Sequence, residues 1–235
     1  MPEAGHSIPA AAVWRTLLIA ALCAACGGPA QEEPPSDGAP ENAALVATAV
    51  VEPDDALPAA GFLRSSYAFK VKSGHHKSDH DFVALPHLGR HVDRALRFRV
   101  SFADDAAYTT SAPSNQSDWN KLMGLTTDRI HKNSIRIGWR WNPASSRVEL
   151  GFYGYLNGRR FMQQLTDVPR GQPIDCELRM SNQGLTARAG GATHTESGSL
   201  GVSLPLTWVL HSAYFGGDET APHDVHLTVT DIVAQ

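Results

Sequence analysis

Apolar and polar residues alternate with a period of two from about residue 61 onward, a pattern that predicts β-strands. The alternation is clearest at 96–102, 134–141 and 148–153, and the segment around Cys176 places that thiol on a buried strand face. Further strands are predicted at 67–71, 81–85, 121–125, 160–165, 185–189, 206–211 and 225–233. About ten short strands without a long amphipathic helix predict an all-β, antiparallel two-sheet sandwich of jelly-roll type.

The register of the central strands can be predicted from two turns. Asn157-Gly158 is a strong hairpin signal because both residues tolerate positive φ. The loop at 142–147 joins the preceding pair of strands, in which Trp141 is predicted to pair with Val148. One face of these strands then collects the apolar side chains, which are Ile137, Trp139, Trp141, Val148, Leu150 and Phe152. We predict that this face is buried.

The opposite face of the same strands is polar and aromatic and surrounds two glycines, Gly138 and Gly151. Glycine inside a strand often marks the close approach of a ligand or of another backbone. Tyrosine rings stack on sugars, and Arg, Glu and Gln side chains bond hydroxyls or carboxylates. The candidate ligand-binding residues are Arg136, Arg140, Glu149, Tyr153, Tyr155 and Arg160, with Met162 and Gln164 on the same face. The alternative is a solvated sheet surface with a cross-strand Arg140–Glu149 pair.

Residues 1–25 have the layout of a bacterial export signal. The apolar stretch from Thr16 to Ala25 is shorter than the ~20 residues that span a bilayer. Small residues precede Cys26, and this order resembles a lipobox. The resemblance implies cleavage before Cys26, acylation of its sulfur and anchoring in the bacterial envelope, in the outer rather than the inner membrane. An ordinary secretory signal cut near Ala25 is the alternative.

Residues 26–60 differ in composition from the domain predicted at 61–235. They are rich in proline, alanine and acids and contain no Lys, Arg or aromatic residue, so they predict an extended disordered tether. A short strand at 44–51 is the alternative. The whole chain has a net charge of −4, but one arginine and eight acids precede residue 60, which leaves a net of +3 on the domain. This mild charge does not predict nucleic-acid binding, which needs a concentrated basic face.

Three segments carry a family resemblance: 118–122 (DWNKL), 133–142 (NSIRIGWRWN) and 214–224 (YFGGDETAPHD). They resemble a pattern in bacterial envelope proteins with concanavalin-like jelly rolls, the architecture of many lectins, polysaccharide lyases and glucanases. The resemblance implies carbohydrate as the ligand class. The chain lacks the Glu-x-Asp-x-x-Glu strand of the glucanases and the Arg-rich, Gln-x-His and Tyr-x-Lys strands of jelly-roll alginate lyases. The resemblance therefore implies no particular reaction.

Two loops, 74–81 and 216–224, contain acids of the kind that calcium prefers. The candidate ligands are Asp79, Asp81, Asp218, Glu219 and Asp224. If the first and last strands are neighbours, the two loops meet and could form a calcium site. Zinc is an alternative metal because the loops also contain histidines, although His75-His76 lacks ordinary structural-zinc spacing. Local turn chemistry without a metal is the third option.

Three function classes stay open at this point. The first is a lipid-anchored envelope protein whose sandwich binds carbohydrate or another envelope polymer. The second is a polysaccharide lyase in which Arg136 or Arg140 neutralises a uronate. In that reading Tyr153 or Tyr155, with His131 nearby in sequence, takes the adjacent proton. Because the pKa of tyrosine is ordinarily about 10, that role requires cationic surroundings. The third is a purely structural envelope protein.

Overall fold

The computed structural model describes residues 65–80, 87–89, 93–127, 129–202 and 206–234. The export signal, Cys26, the tether, Asp81 and the strand predicted at 81–85 lie outside these residues. No helix in the described part of the chain is long and apolar enough to cross a bilayer. Two short 3₁₀ helices occur at Asp104–Ala106 and Pro113–Ser117. The strands are β1 (Ser66–Val71), β2 (His87–Gly89), β3 (Arg94–Phe102), β4 (Asn120–Thr127), β5 (Asn133–Asn142), β6 (Arg147–Leu156), β7 (Arg159–Val168), β8 (Ile174–Ser181), β9 (Gly184–Ala189), β10 (Ala192–Ser197), β11 (Leu206–His211) and β12 (Val225–Ala234).

The strands form two antiparallel sheets. Within the described residues the first sheet has the order β1-β12-β3-β8-β9-β10 and the second sheet the order β2-β11-β4-β5-β6-β7. Strands that are distant in sequence are neighbours, since β12 lies between β1 and β3. The prediction of an all-β jelly-roll sandwich is confirmed.

Strand positions agree with the apolar alternation where the strands face the core. β10 was not predicted, because its inward positions hold Ala192, His194 and Glu196 in place of large apolar residues. It lies at the edge of the first sheet, where little apolar surface needs cover.

The predicted register of the central strands is confirmed. Trp141 pairs with Val148, and Gly138 pairs with Gly151. The β6–β7 turn has positive φ at Asn157 (52°) and at the glycine that follows it (81°), as a two-residue hairpin requires.

The core lies between the inner faces of the two sheets. Trp139, only 1% exposed, packs its ring 5.2 Å from Phe102 of the first sheet and edge-on against Tyr108 and Phe215. Cys176 is buried in the same cluster, and burial raises the pKa of its thiol. A neutral buried thiol behaves as a small apolar group, as its place in the alternating pattern predicts.

Replacement of Trp139 by alanine is expected to cost ~3–5 kcal/mol of unfolding free energy, because it removes a ring that touches both sheets. Arg97→Ala, on the solvent side of the first sheet, is expected to cost less than about 1 kcal/mol, since exposed ion pairs contribute little. Urea titration of both variants measures the difference. Equal small losses would contradict the assigned core.

Candidate functional site

The candidate site is the outer face of the second sheet, which points away from the core. The cross-strand pairs Arg136–Tyr153, Gly138–Gly151 and Arg140–Glu149 are all present. The structure thus brings together the six predicted ligand-binding residues on adjacent strands. Their exposure is unequal: Arg136, Glu149 and Tyr153 are buried, whereas Arg140, Tyr155 and Arg160 are partly exposed.

Arg136 is engaged by the protein's own backbone. Its Nε donates to the carbonyl oxygen of Leu122 at 3.2 Å, and its Nη2 donates to that of Ser212 at 2.6 Å. Its side chain crosses Gly124 of β4, where an added Cβ would meet the Arg136 Cγ at 2.3 Å. The guanidinium therefore joins β5 to β4 and to the segment after β11, and its role is structural rather than that of an open ligand contact.

The space above Gly138 and Gly151 is filled by the protein. A Cβ at Gly151 would lie 2.1 Å from the Met162 methyl and 2.9 Å from the Trp119 ring, and a Cβ at Gly138 would lie 3.2 Å from the same ring. The close approach that the glycines mark is that of Trp119 and Met162 rather than of a ligand, because the indole reaches across two strands that have no side chains there. The glycines make room for Trp119, and the surface that a ligand meets is partly indole.

Arg140 and Glu149 form the predicted cross-strand pair. The Arg140 Nε donates to a Glu149 oxygen at 2.6 Å, and its Nη1 donates to the Ser117 carbonyl oxygen at 2.7 Å. The second Glu149 oxygen accepts a hydrogen bond from the Asn142 amide at 2.7 Å. The guanidinium also lies 4.3 Å from the centre of the Trp119 ring. This arrangement holds the indole and the guanidinium in fixed positions.

Tyr153 lies between two cations. The Lys121 ammonium is 5.2 Å and the Arg160 guanidinium 5.5 Å from the centre of its ring. Tyr155 meets the Tyr153 ring edge-on at 6.1 Å and packs against the His131 ring at 5.1 Å. We call Lys121, Tyr153 and Arg160 the cationic cluster. This cluster places two positive charges beside one aromatic ring.

The cationic cluster continues into the loops around the sheet. Lys121 lies 5.4 Å from the Tyr214 ring as well, so its ammonium is placed between two tyrosines. The Tyr214 ring stacks in parallel on His76 at 5.3 Å, and the His76 Nδ1 donates to the Phe215 carbonyl oxygen at 2.8 Å. The stacking on His76 holds the Tyr214 ring beside the Lys121 ammonium.

The two acid-rich loops meet, as expected from the pairing of β1 with β12, but their acids do not converge. Asp224 pairs with Lys70 at 2.5 Å, and this ion pair lowers the pKa of its carboxyl. Asp79 accepts a hydrogen bond from the backbone of Lys70, and Asp218 is exposed. Among the described residues no group of three or more His, Cys, Asp and Glu side chains is arranged to hold a metal ion. The structure therefore does not support the calcium site or the zinc alternative there.

Glu219 has a structural role instead. Its oxygens accept hydrogen bonds from the backbone of Ala112 at 2.7 Å and of Ser111 at 2.8 Å, and from the Asn115 amide at 2.9 Å. These bonds lower the pKa of the Glu219 carboxyl. They hold the loop that leads to Trp119, so Glu219 helps to position the indole over the glycine pair.

Sequence reasoning did not assign Lys121, Trp119, Tyr214 or His76 to the site. Trp119, Tyr214 and His76 lie outside the strands, and Lys121 lies at the start of β4, next to an irregularity in the pairing of β4 with β5. Alternation does not determine where side chains in such places point. The run DWNKL and the run beginning at Tyr214 carried the resemblance to envelope proteins, and nothing in either run predicted a contact with the face of β5 and β6. The paired glycines of β5 and β6 are a sequence signal for Trp119, because glycines on a sheet face leave a space that an aromatic residue can fill.

The comparisons with known proteins concern the fold. No protein-family profile matches the chain, and no curated protein matches it. Among solved structures, alginate lyase AlyC3 matches with a TM-score of 0.53 and 10% identity, over 72% of this chain and 74% of that chain. An alginate lyase from Klebsiella pneumoniae matches with a TM-score of 0.49 and 13% identity, over 63% of this chain and 61% of that chain. This chain thus spans about three fifths of the Klebsiella protein's length.

The class defined by these observations is a jelly-roll β-sandwich with a cationic and aromatic outer sheet face. The likeness to AlyC3 shows the fold. Identities of 10% and 13% transfer no residue role to this chain.

His211 is a buried titratable group in the same sheet. It pairs with Gly124 at the end of β11, is 4% exposed, and its Nε2 has no hydrogen-bond partner among the described residues. Burial, and then the charge of Arg136, lowers its pKa from 6.5 to about 3. The folded protein therefore keeps this ring neutral.

We expect acid to destabilise the domain through His211. Below its ordinary pKa, the unfolded chain takes up a proton that the folded chain takes up only near pH 3. Protonation of His211 therefore does not reduce the free energy of unfolding at neutral pH or above. It lowers that free energy by about 2 kcal/mol between about pH 7.5 and about pH 5. His211→Asn should lose less stability over that interval in urea titrations, and identical acid slopes for the two proteins would refute the assignment.

Proposed function

We propose that the domain is a polysaccharide lyase that acts on a uronate-containing polymer at the outer face of the second sheet. The observation that carries the proposal is the cationic cluster, in which Tyr153 lies between Lys121 and Arg160 at 5.2 and 5.5 Å. The jelly-roll fold shared with AlyC3, whose name states that it is an alginate lyase, supports the same choice.

The chemistry of elimination explains why such a cluster suits it. Removal of the proton beside a uronate carboxylate places negative charge on that carboxylate, and a nearby cation stabilises it. A base accepts the proton, the glycosidic C–O bond breaks as the double bond forms, and the departing oxygen takes a proton from the protonated base or from water. Tyr153 as phenolate is the base in this proposal, with Lys121 and Arg160 neutralising the carboxylate. Arg136, which the sequence offered for that task, is bonded to two backbone carbonyls.

A second candidate is carbohydrate binding without cleavage. The observation that favours it is burial, since Tyr153 and Lys121 are each 4% exposed, so that the phenol meets a polymer only at its edge. The partly exposed Tyr155, Arg160 and Trp119 would then form the binding surface. The two candidates share the ligand and differ in whether a new double bond appears.

Tyr153→Phe is the variant that separates them. It keeps the ring between the two cations and removes only the hydroxyl, so a lyase should lose at least ~100-fold in kcat, the scale of a lost acid–base group. The ultraviolet absorbance of the unsaturated uronate follows the reaction on alginate and hyaluronan. Tyr155→Phe is the matched control and should keep most of the activity.

Unchanged elimination in Tyr153→Phe would refute the assigned base. If the wild-type domain binds these polymers and the absorbance does not increase, the result would support carbohydrate binding without cleavage and contradict the lyase.

We further propose that the protein is anchored in the bacterial envelope by lipid on Cys26, in the outer membrane. Support comes from the lipobox-like order of residues before Cys26 and from the acidic, proline-rich composition of the segment that follows it, which predicts a tether. Such a tether would hold the domain away from the membrane while it reaches its polymer.

Cys26→Ser should abolish incorporation of labelled palmitate and leave an unprocessed precursor, because the sulfur is the acylated atom. Metabolic labelling of the wild-type and variant proteins in a bacterial host measures this. A wild-type protein that is exported and cleaved but carries no label would contradict the anchor.

A further inference from the structure

The outer face of the second sheet has two parts of different charge. The cationic cluster lies at one end of β6. Beyond Gly151, the arginines are paired with acids: Arg140 with Glu149 at 2.6 Å and Arg147 with Asp167. Gly151 and Tyr153 are two residues apart on one side of β6, a separation of roughly 7 Å by strand rise. The two parts are therefore close enough to contact neighbouring units of one polymer.

Arg140 is the most constrained group in the paired part. Its Nε and Nη1 donate to Glu149 and to the Ser117 carbonyl oxygen, and its face lies on Trp119. Its Nη2 donates to no described residue. Because stacking uses the face of a guanidinium and hydrogen bonding uses its edge, Nη2 stays able to donate to a ligand.

The charge of Arg140 is already balanced. A ligand carboxylate at Nη2 would share the guanidinium with the Glu149 carboxylate, and the two negative charges would repel. A sugar hydroxyl accepts the same hydrogen bond without that cost. Besides the Arg147–Asp167 ion pair, this part of the face offers uncharged groups: partly exposed Trp119 and Met162 give apolar contact to a sugar ring, and the exposed Gln164 amide can donate and accept.

We infer that Trp119, Arg140, Met162 and Gln164 form a neutral subsite that binds an uncharged sugar next to the uronate held at the cationic cluster. The substrate class is then a heteropolysaccharide in which a uronate is followed by an uncharged sugar, rather than a homopolymer of uronates. This inference rests on the proposed function, because it takes the cationic cluster as the place where the uronate lies.

Binding to the Tyr153→Phe domain, measured by titration calorimetry, tests the inference separately from catalysis. The probes are oligosaccharides of hyaluronan and heparosan, which alternate a uronate with an uncharged amino sugar, and oligosaccharides of polyguluronate and polymannuronate. We expect tighter binding of the alternating pair. Glu149→Gln should raise the affinity for the homopolymers by about tenfold relative to the alternating pair, since it releases the charge of Arg140 for a carboxylate.

Arg140→Gln supplies a second and independent measurement. It should weaken binding of the alternating oligosaccharides by about tenfold, the loss of one charge-assisted hydrogen bond. Arg147→Gln is the matched control, also ion-paired on this sheet face but farther from Trp119, and should leave the affinities unchanged. Thermal unfolding of each variant verifies its fold, so either variant alone is sufficient if the other is unstable.

The outcomes separate the inference from the function on which it rests. The neutral subsite would be overturned if the homopolymers bind more tightly and neither Glu149→Gln nor Arg140→Gln changes the affinities. The lyase would still stand in that case if Tyr153→Phe abolishes elimination. Failure to bind any of the four oligosaccharides would overturn both.

Discussion

The pairing of β5 with β6 determines both the core and the candidate site, because each strand sends alternate residues to opposite sides of the second sheet. Trp139 opposite Leu150 contributes to the core, and the adjacent pair of Gly138 and Gly151 faces outward. A slip of one residue would exchange the two sets. The burial of a large indole on the inner side therefore also fixes which polar groups meet solvent on the outer side.

The outer face depends in turn on the glycine pair. Trp119 can lie across two strands only because neither has a side chain there, and its ring then supports Arg140. Glu219 holds the loop before Trp119 through two backbone N–H groups. Groups far apart in sequence thus fix one another's positions on this face. The same contacts divide the face into a cationic part and a charge-balanced part.

The fold could be predicted from sequence where side-chain chemistry alternates strongly. β5 and β6 alternate large apolar residues with charged residues and glycines, so their register followed from residue types alone. β10 could not be found this way, because an edge strand needs no large apolar residues. The site was predicted in part, since strand residues such as Tyr153 and Arg140 follow the alternation. The side-chain directions of Trp119 and Lys121 could not be predicted, because a loop sets the first and a strand irregularity sets the second. The roles of the acids in the two loops could not be predicted either, because their hydrogen-bond partners are distant in sequence.

The proposed function requires that a uronate polymer lies on the outer face of the second sheet, over the cationic cluster. A crystal structure of the Tyr153→Phe domain with a uronate-containing oligosaccharide tests it most directly. We predict a sugar carboxylate within hydrogen-bonding distance of Lys121 or Arg160, with the adjoining unit against Trp119. An oligosaccharide bound on the first sheet, or at the loops that contain Asp79 and Asp224, would contradict the account.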